Sequence, residues 1–232
     1  MNILQEKLDY LLCRYSREEK VSLIDEKTAE VGGKKYPILA HRSERRFIEL
    51  RNLVCGGTLE DVSVMRVFRI VEKDKDIFDE LCREADICRF VLNRNIESIT
   101  VMQNDNVLNA IAGAEGGIVC TIEIAATLEK GEKPKDKHEI IARRGTACDV
   151  VVDAQLRQES IYFFGKENKA VTDVDFEIFG LSPEDTATVR FAFGLSDKKE
   201  REETQKTADA LCTLKKAAKE SAACGERKVL IG

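Results

Sequence analysis

At 232 residues, 43% hydrophobic and 34% charged, the chain is long enough for one sizeable core or for one and a half ordinary domains. Its net charge of -5 comes from Lys and Arg interleaved with Asp and Glu, with no basic stripe, which argues against a nucleic-acid partner. The first seven residues carry charges where a signal peptide needs an apolar core. No apolar run approaches the roughly 20 residues of a membrane span, so no membrane association and a cytoplasmic location are expected.

The eight cysteines stand singly among apolar neighbours, without a C-x-x-C pair, a pattern of buried reduced thiols in place of zinc ligands or a disulfide framework. The two histidines, His41 and His138, are too few for a His-rich metal site.

In chain order, Ile3, Leu4, Leu8, Leu11, Leu12 and Tyr15 fall at helical spacing and predict an amphipathic opening helix over 3–15. Residues 28–31 and 35–39 flank Gly32-Gly33, a hairpin signature, because paired glycines supply the positive φ of a tight turn. A helix over 43–55, with Phe47, Leu50 and Val54 on one side, is closed by Gly56-Gly57. A strand follows at 62–71.

Residues 76–92 read as the second long helix, packing through Ile77, Leu81, Cys88 and Leu92. Asp79, Arg83 and Asp86, at i, i+4 and i+7, share another face, which gathers three ionisable heads and allows an Asp79/Arg83 ion pair. Beyond it the chain turns β-rich: 96–103, 107–112 and 118–127 form a meander separated by Asn104-Asp105-Asn106 and Glu115-Gly116-Gly117. Further strands are predicted at 139–142, 149–153, 160–164 and 174–179. His138, at the start of one of them, is a candidate hydrogen-bonding group for a sugar, as are Gln155, Arg157 and Gln158. Ser182-Pro183-Glu184-Asp185 starts a short capped helix, residues 204–223 a last one with Ala208, Leu211, Leu214 and Ala218 inward, and 228–231 a closing strand. The fold class is therefore α+β, a largely antiparallel open sheet with helices on one face.

Several of these segments, in this order, resemble the C-terminal domain of the glucose-fructose oxidoreductase, inositol dehydrogenase and rhizopine catabolism proteins, the Gfo/Idh/MocA family. Gly57-Thr58-Leu59-Glu60-Asp61-Val62 resembles the family's "G-x-(L/I)-G-(D/E)-(V/I)" turn. Asp79 to Arg94 is similar to its "D-I-G-x-H-x-x-D-x-x-R-x-L-L-G" helix, and Asp209-Ala210-Leu211 through Gly225 and Val229 to its closing helix and strand. Residues 107–127, with Glu115-Gly116-Gly117, are similar to its glycine hairpin. The resemblance covers about residues 36–231 and divides the chain into an N-terminal extension, 1–35, and the family-like domain, 36–232.

The family consists of two-domain NAD(P)-dependent oxidoreductases acting on sugars or polyols, with a Rossmann domain preceding the part matched here. This chain departs from it in three places. It has no G-x-G-x-x-G after an opening strand, so no tight turn brings a backbone to a pyrophosphate. Asp25-Glu26-Lys27-Thr28 stands where the Glu-Lys-Pro motif should, and Glu132-Lys133-Pro134 comes after the helix and reads as a charged turn. The helix histidine falls on Arg83, which cannot act as a base. The resemblance then implies a stand-alone substrate-binding and oligomerisation domain, probed through Asp79 as catalytic candidate and Arg83, Asp86 and His138 as substrate contacts, with no cofactor site of its own. It also implies a homo-oligomer formed through the open sheet, a sugar or polyol ligand and a separate Rossmann-domain subunit bearing NAD(P). The alternative is an active oxidoreductase that takes its nicotinamide site from a partner or an unrecognised surface.

Overall fold

A computed structural model describes residues 2–149, 160–165, 169–172 and 180–230. The strand predicted at 174–179, most of that at 149–153, and Gln155, Arg157 and Gln158 lie outside these residues. The chain divides into two compact units, one of residues 1–48 and 173–210, the other of 49–172 and 211–232.

In the first unit, helix α1 (Asn2–Arg14) places Leu4, Leu8 and Leu12 on one face, all buried. An antiparallel sheet of β1 (Val21–Asp25), β2 (Thr28–Val31) and β3 (Lys34–Pro37) supplies Val21, Ala29, Val31 and Tyr36 to the same core. Helix α4 (Pro183–Gly194) adds Val189 and Ala192. The predicted hairpin is present, with Gly32 and Gly33 at φ +58° and +78°. Strand β1 was not foreseen, because Ser22 and Asp25 interrupt its apolar pattern. Gln5 holds it by donating from Nε2 to the Val21 carbonyl (3.1 Å) while its Oε1 accepts from the Leu23 N–H (2.7 Å). Ser182 caps α4, its Oγ accepting from the Asp185 N–H at 3.1 Å, with Pro183 at the first helical position as the sequence predicts.

The second unit is built on β4 (Val62–Glu72), β5 (Ile96–Asn104), β6 (Val107–Ala114), β7 (Ile118–Leu128), β8 (Lys135–Ala142), β9 (Gly145–Cys148), β10 (Ser160–Phe164), β11 (Lys169–Thr172) and β12 (Lys228–Val229). They lie in the order β11-β10-β9-β8-β4-β7-β6-β5-β12, and every pairing is antiparallel except β4 with β7. The fold is α+β with a mixed, largely antiparallel sheet, and the parallel pair arises because helix α3 (Ile77–Leu92) and the β5/β6 hairpin intervene between β4 and β7.

Alternation sorts the sheet into two faces. Met65, Val67 and Val71 of β4, Cys120, Ile122 and Ile124 of β7, and Leu108, Ala110 and Ala112 of β6 are buried on the side where α3 packs. The opposite face carries Phe68, Val107, Ile111 and Val119, all exposed. Helix α2 (Arg45–Cys55) matches its prediction apart from its first two residues, and α5 (Lys198–Cys224) begins six residues earlier than predicted. Ser221 of α5 ties that helix to the sheet, its Oγ accepting from the Val101 N–H at 2.9 Å.

Among the described residues no disulfide is formed, and only Cys82, Cys88, Cys120 and Cys148 of the cysteines are buried. Cys13, Cys55, Cys212 and Cys224 are exposed, which corrects the expectation of buried thiols throughout: each lies on the outward side of a helix whose other face packs. No helix among the described residues is long and apolar enough to cross a membrane.

Candidate functional site

Helix α3 begins at Asp76, whose side chain accepts from the Phe78 N–H at 2.8 Å, and ends at Asn93 in the left-handed conformation. It bears two ionic clusters of opposite character.

The first lies between α3 and the sheet. Strand β8 starts at Lys135, four residues earlier than predicted, so His138 sits within the strand with Asp136 and Ile140 on the same, inward side. It is fully buried, not a residue at the strand's edge. Its Nε2 lies 2.7 Å from Glu84 Oε2 and its Nδ1 2.6 Å from Asp149 Oδ2. The backbone closes the same contact, since the His138 N–H donates to Asp149 Oδ1 (2.7 Å) and the Asp149 N–H to the His138 carbonyl (3.2 Å).

Arg83 Nη1 donates to Glu84 Oε1 and lies 3.9 Å from Asp136. Arg69, opposite Asp136 in the β4/β8 register, donates from Nη1 to Asp136 (2.8 Å) and from Nε to Glu80 (2.6 Å), and its Nε is 3.6 Å from Glu84.

Burial alone would push the His138 imidazolium to lose its proton, but Asp149 and Glu84, one on each ring nitrogen, hold its pKa up at about 9. Burial alone would likewise raise Glu84, and Arg83 with His138 overcomes it, holding the carboxylate down at about 2. The three ions are one closed chain, with the imidazolium donating at both ends. One ligand-type atom of each of Asp136, His138 and Asp149 lies within 4.8 Å of the others.

The second cluster stands at the exposed start of α3. Lys215 Nζ of α5 donates to Asp79 (2.6 Å) and to Asp76 (3.0 Å). Partial burial alone would lower the Lys215 pKa, and these two carboxylates together overcome it and raise it.

The four residues singled out from sequence are thus not gathered on one open face. Lys215, not Arg83, pairs with Asp79, which is exposed. Arg83 is half-buried beside Glu84, and Asp86 is fully buried 3.5 Å from Arg89 Nη1. Asp86 and His138 present no surface to a ligand. Asp79 and Asp86 lie within about 20° of each other around the helix, so what separates them is position along its axis: Asp79 stands in the exposed first turn, and Asp86, almost two turns on, is covered. Glu84, Asp149, Asp136 and Arg69 were missed. The sequence signal was Glu84 set between Leu81 and Cys88, a charge inside a packing stripe.

Glu132-Lys133-Pro134 is an exposed turn, in which the Glu129 N–H donates to Glu132 Oε2 at 2.7 Å. It directly precedes β8, and none of its three residues is among those of the two clusters described above.

No protein-family model matches the sequence, and no curated protein does. Solved structures do, and they are oxidoreductases of the Gfo/Idh/MocA type. An oxidoreductase domain protein from Kribbella flavida matches with a TM-score of 0.64 at 13% identity over 84% of this chain and 65% of its own. Levoglucosan dehydrogenase, solved with NADH and levoglucosan, gives 0.65 at 10% identity over 84% and 65%, respectively. An oxidoreductase from Pseudomonas syringae gives 0.63 at 10% identity over 98% and 68%. The chain therefore has the fold of part of these enzymes and spans about 65% of the length of the first two.

Proposed function

We propose that the chain is a substrate-binding and oligomerisation domain related to NAD(P)-dependent sugar or polyol oxidoreductases. It has no dehydrogenase activity of its own and works beside a separate cofactor-binding polypeptide in the cytoplasm. The observation that carries this reading is Arg83, at the helix position where the family motif has its histidine. A guanidinium remains protonated at any physiological pH and cannot take the proton of a hydroxyl as hydride leaves. His138 does not replace it, since both ring nitrogens already face carboxylates in the interior.

The sugar or polyol assignment is supported by the likeness to levoglucosan dehydrogenase and by the exposed Asp79 and Asp76 with the half-buried Lys215, hydrogen-bonding groups suited to hydroxyls. Oligomerisation is supported by the uncovered sheet face, where Phe68, Ile111 and Val119 of adjacent strands are exposed together. A second copy covering it predicts a dimer or higher oligomer, and a monodisperse monomer by light scattering at micromolar concentration overturns that part.

The decisive experiment is a titration of the purified chain with NADH and NADPH, followed by nicotinamide fluorescence. No binding is expected. Binding overturns the proposal in favour of the rival reading, an active oxidoreductase. That rival rests on Asp79, the carboxylate left accessible beside Lys215, and it requires Asp79→Asn to lose turnover while the protein stays folded.

A further inference from the structure

We infer that Cys82 and Cys212 form an oxidative modification site, in which hydrogen peroxide acting on the exposed Cys212 leads to a disulfide that staples helix α3 to helix α5. The inference is independent of the sugar-domain reading and stands or falls separately from it.

Three contacts fix how the two helices run past each other. Lys219 Nζ lies 5.5 Å from the centre of the Phe78 ring, Lys215 Nζ donates to Asp79 at 2.6 Å, and the Cys82 thiol donates to the Leu211 carbonyl at 3.9 Å. Residue numbers rise along α3 as they fall along α5, so the helices are antiparallel at this seam. The next position beyond the Asp79–Lys215 pair is three residues on in α3 and three back in α5, which sets Cys82 opposite Cys212. The carbonyl that Cys82 touches is the one joining Leu211 to Cys212, so its sulfur lies against the backbone of its partner. Cys212 is also near enough for its charge to act on the Cys82 thiol.

The two thiols differ in the way such a site needs. Cys212 is exposed and Cys82 is buried. Burial pushes the Cys82 pKa up to about 12, Lys215 works against burial, and Asp79, Asp76 and Cys212 add to it. Cys82 therefore stays a shielded thiol, and Cys212 meets the oxidant first. The Cys212 sulfur takes one oxygen from peroxide, whose O–O bond breaks with loss of one water, and becomes a sulfenic acid. The Cys82 sulfur then attacks the Cys212 sulfur: the S–S bond forms, the S–O bond breaks, and hydroxide leaves as water with the Cys82 proton. Two thiols have given up two electrons, and peroxide has become two waters. Lys215, three residues after Cys212, is the cation that favours the Cys82 thiolate for that attack. Cys88 and Cys120 are also hydrogen-bonded to each other, but both are fully buried, beyond the reach of the oxidant.

The test uses the full chain, reduced, freed of reductant, treated with stoichiometric hydrogen peroxide and blocked with N-ethylmaleimide. Trypsin cuts after Lys75, Arg83, Lys206 and Lys215, so residues 76–83 and 207–215 each carry a single cysteine. Mass spectrometry should find these two peptides joined, in protein that runs as a single chain on a non-reducing denaturing gel, and dithiothreitol should separate them. Cys212→Ser should abolish the joined species, and Cys55→Ser, at another exposed thiol, should leave it unchanged. In Cys82→Ala the reaction should stop at Cys212, where dimedone should label the sulfenic acid. Circular dichroism of the oxidised chain should match that of the reduced one, because the bond forms between helices already in contact. Absence of the joined peptides, a Cys88–Cys120 link in their place, or a Cys82–Cys212 bond formed only between chains or only in urea overturns the site.

Discussion

The two ionic clusters that meet at α3 each set carboxylates against basic groups, and they differ in water. At the N-terminal edge Asp76, Asp79 and Lys215 pair at 2.6–3.0 Å in the open, where solvent and salt screen the attraction and long side chains lose entropy on pairing. Two turns on, Glu84, His138 and Asp149 pair at 2.6–2.7 Å with no exposure at all. There each ion has lost its hydration, and only its partners offset that loss. Distance alone does not rank the clusters; burial does. A lone partner removed from the edge leaves a solvated ion, and one removed from the interior leaves a stranded one.

The largest effect is therefore expected from Glu84→Ala. It leaves the His138 imidazolium without one partner and the Arg83 guanidinium without its carboxylate, and stability to urea should fall by about 3–5 kcal/mol. Glu84→Gln keeps the shape and one acceptor, so it should cost less. A negligible loss in Glu84→Gln beside a large one in Glu84→Ala would mean that packing, not charge, holds the interior cluster.

A gentler way to break the same cluster is pH. The His138 pKa is raised in the folded chain, from an ordinary value near 6.5 to about 9, so the proton stabilises the fold. That contribution is fully present below pH 6.5, declines between there and 9, and is gone above it, a ceiling of order 3 kcal/mol at 1.36 kcal/mol per pH unit. Glu84 has the opposite sign: held at about 2 from an ordinary 4.5, its contribution is present above 4.5 and lost as pH falls toward 2. A denaturation series across pH 3–10 should trace a plateau between 4.5 and 6.5. The His138 ring proton should titrate by NMR with a midpoint near 9, and a midpoint at 6.5 would sink the closed ion chain.

How much of this was legible in the sequence differs between fold and site. The glycine pair at 32–33, the Ser182-Pro183 start and the alternating runs of β4 to β7 are local signals, and the chain follows them. Strand β9 is four residues with a glycine at its head, too short for any periodicity to register. The interior cluster was illegible for another reason. Its members come from α3, β4, β8 and the residue after β9, and they meet only through strand pairing: Arg69 faces Asp136 by register, and Asp149 reaches His138 across the β8/β9 turn. A pattern within one element cannot report a contact between four. The spacing of Asp79, Arg83 and Asp86 correctly placed ionisable groups on α3, but the neighbours that decide what each group does are supplied by α5 and the sheet.

The smallest effect sharpens the comparison from the other side. Lys215→Ala removes the ammonium that Asp76 and Asp79 share, so if exposed pairing followed distance, a contact of 2.6 Å would rival the interior ones. Solvent rehydrates both carboxylates when the lysine goes, and the expected loss is about 0.2–1 kcal/mol, shrinking further in 1 M salt as the Debye length drops to about 3 Å. Asp76 also caps α3, and that role survives the mutation because the Phe78 N–H still needs its acceptor. Thermal melts of Lys215→Ala at low and high salt measure this. A loss above about 2 kcal/mol, insensitive to salt, would show that the edge pairs act as buried ions and that exposure does not separate the two clusters.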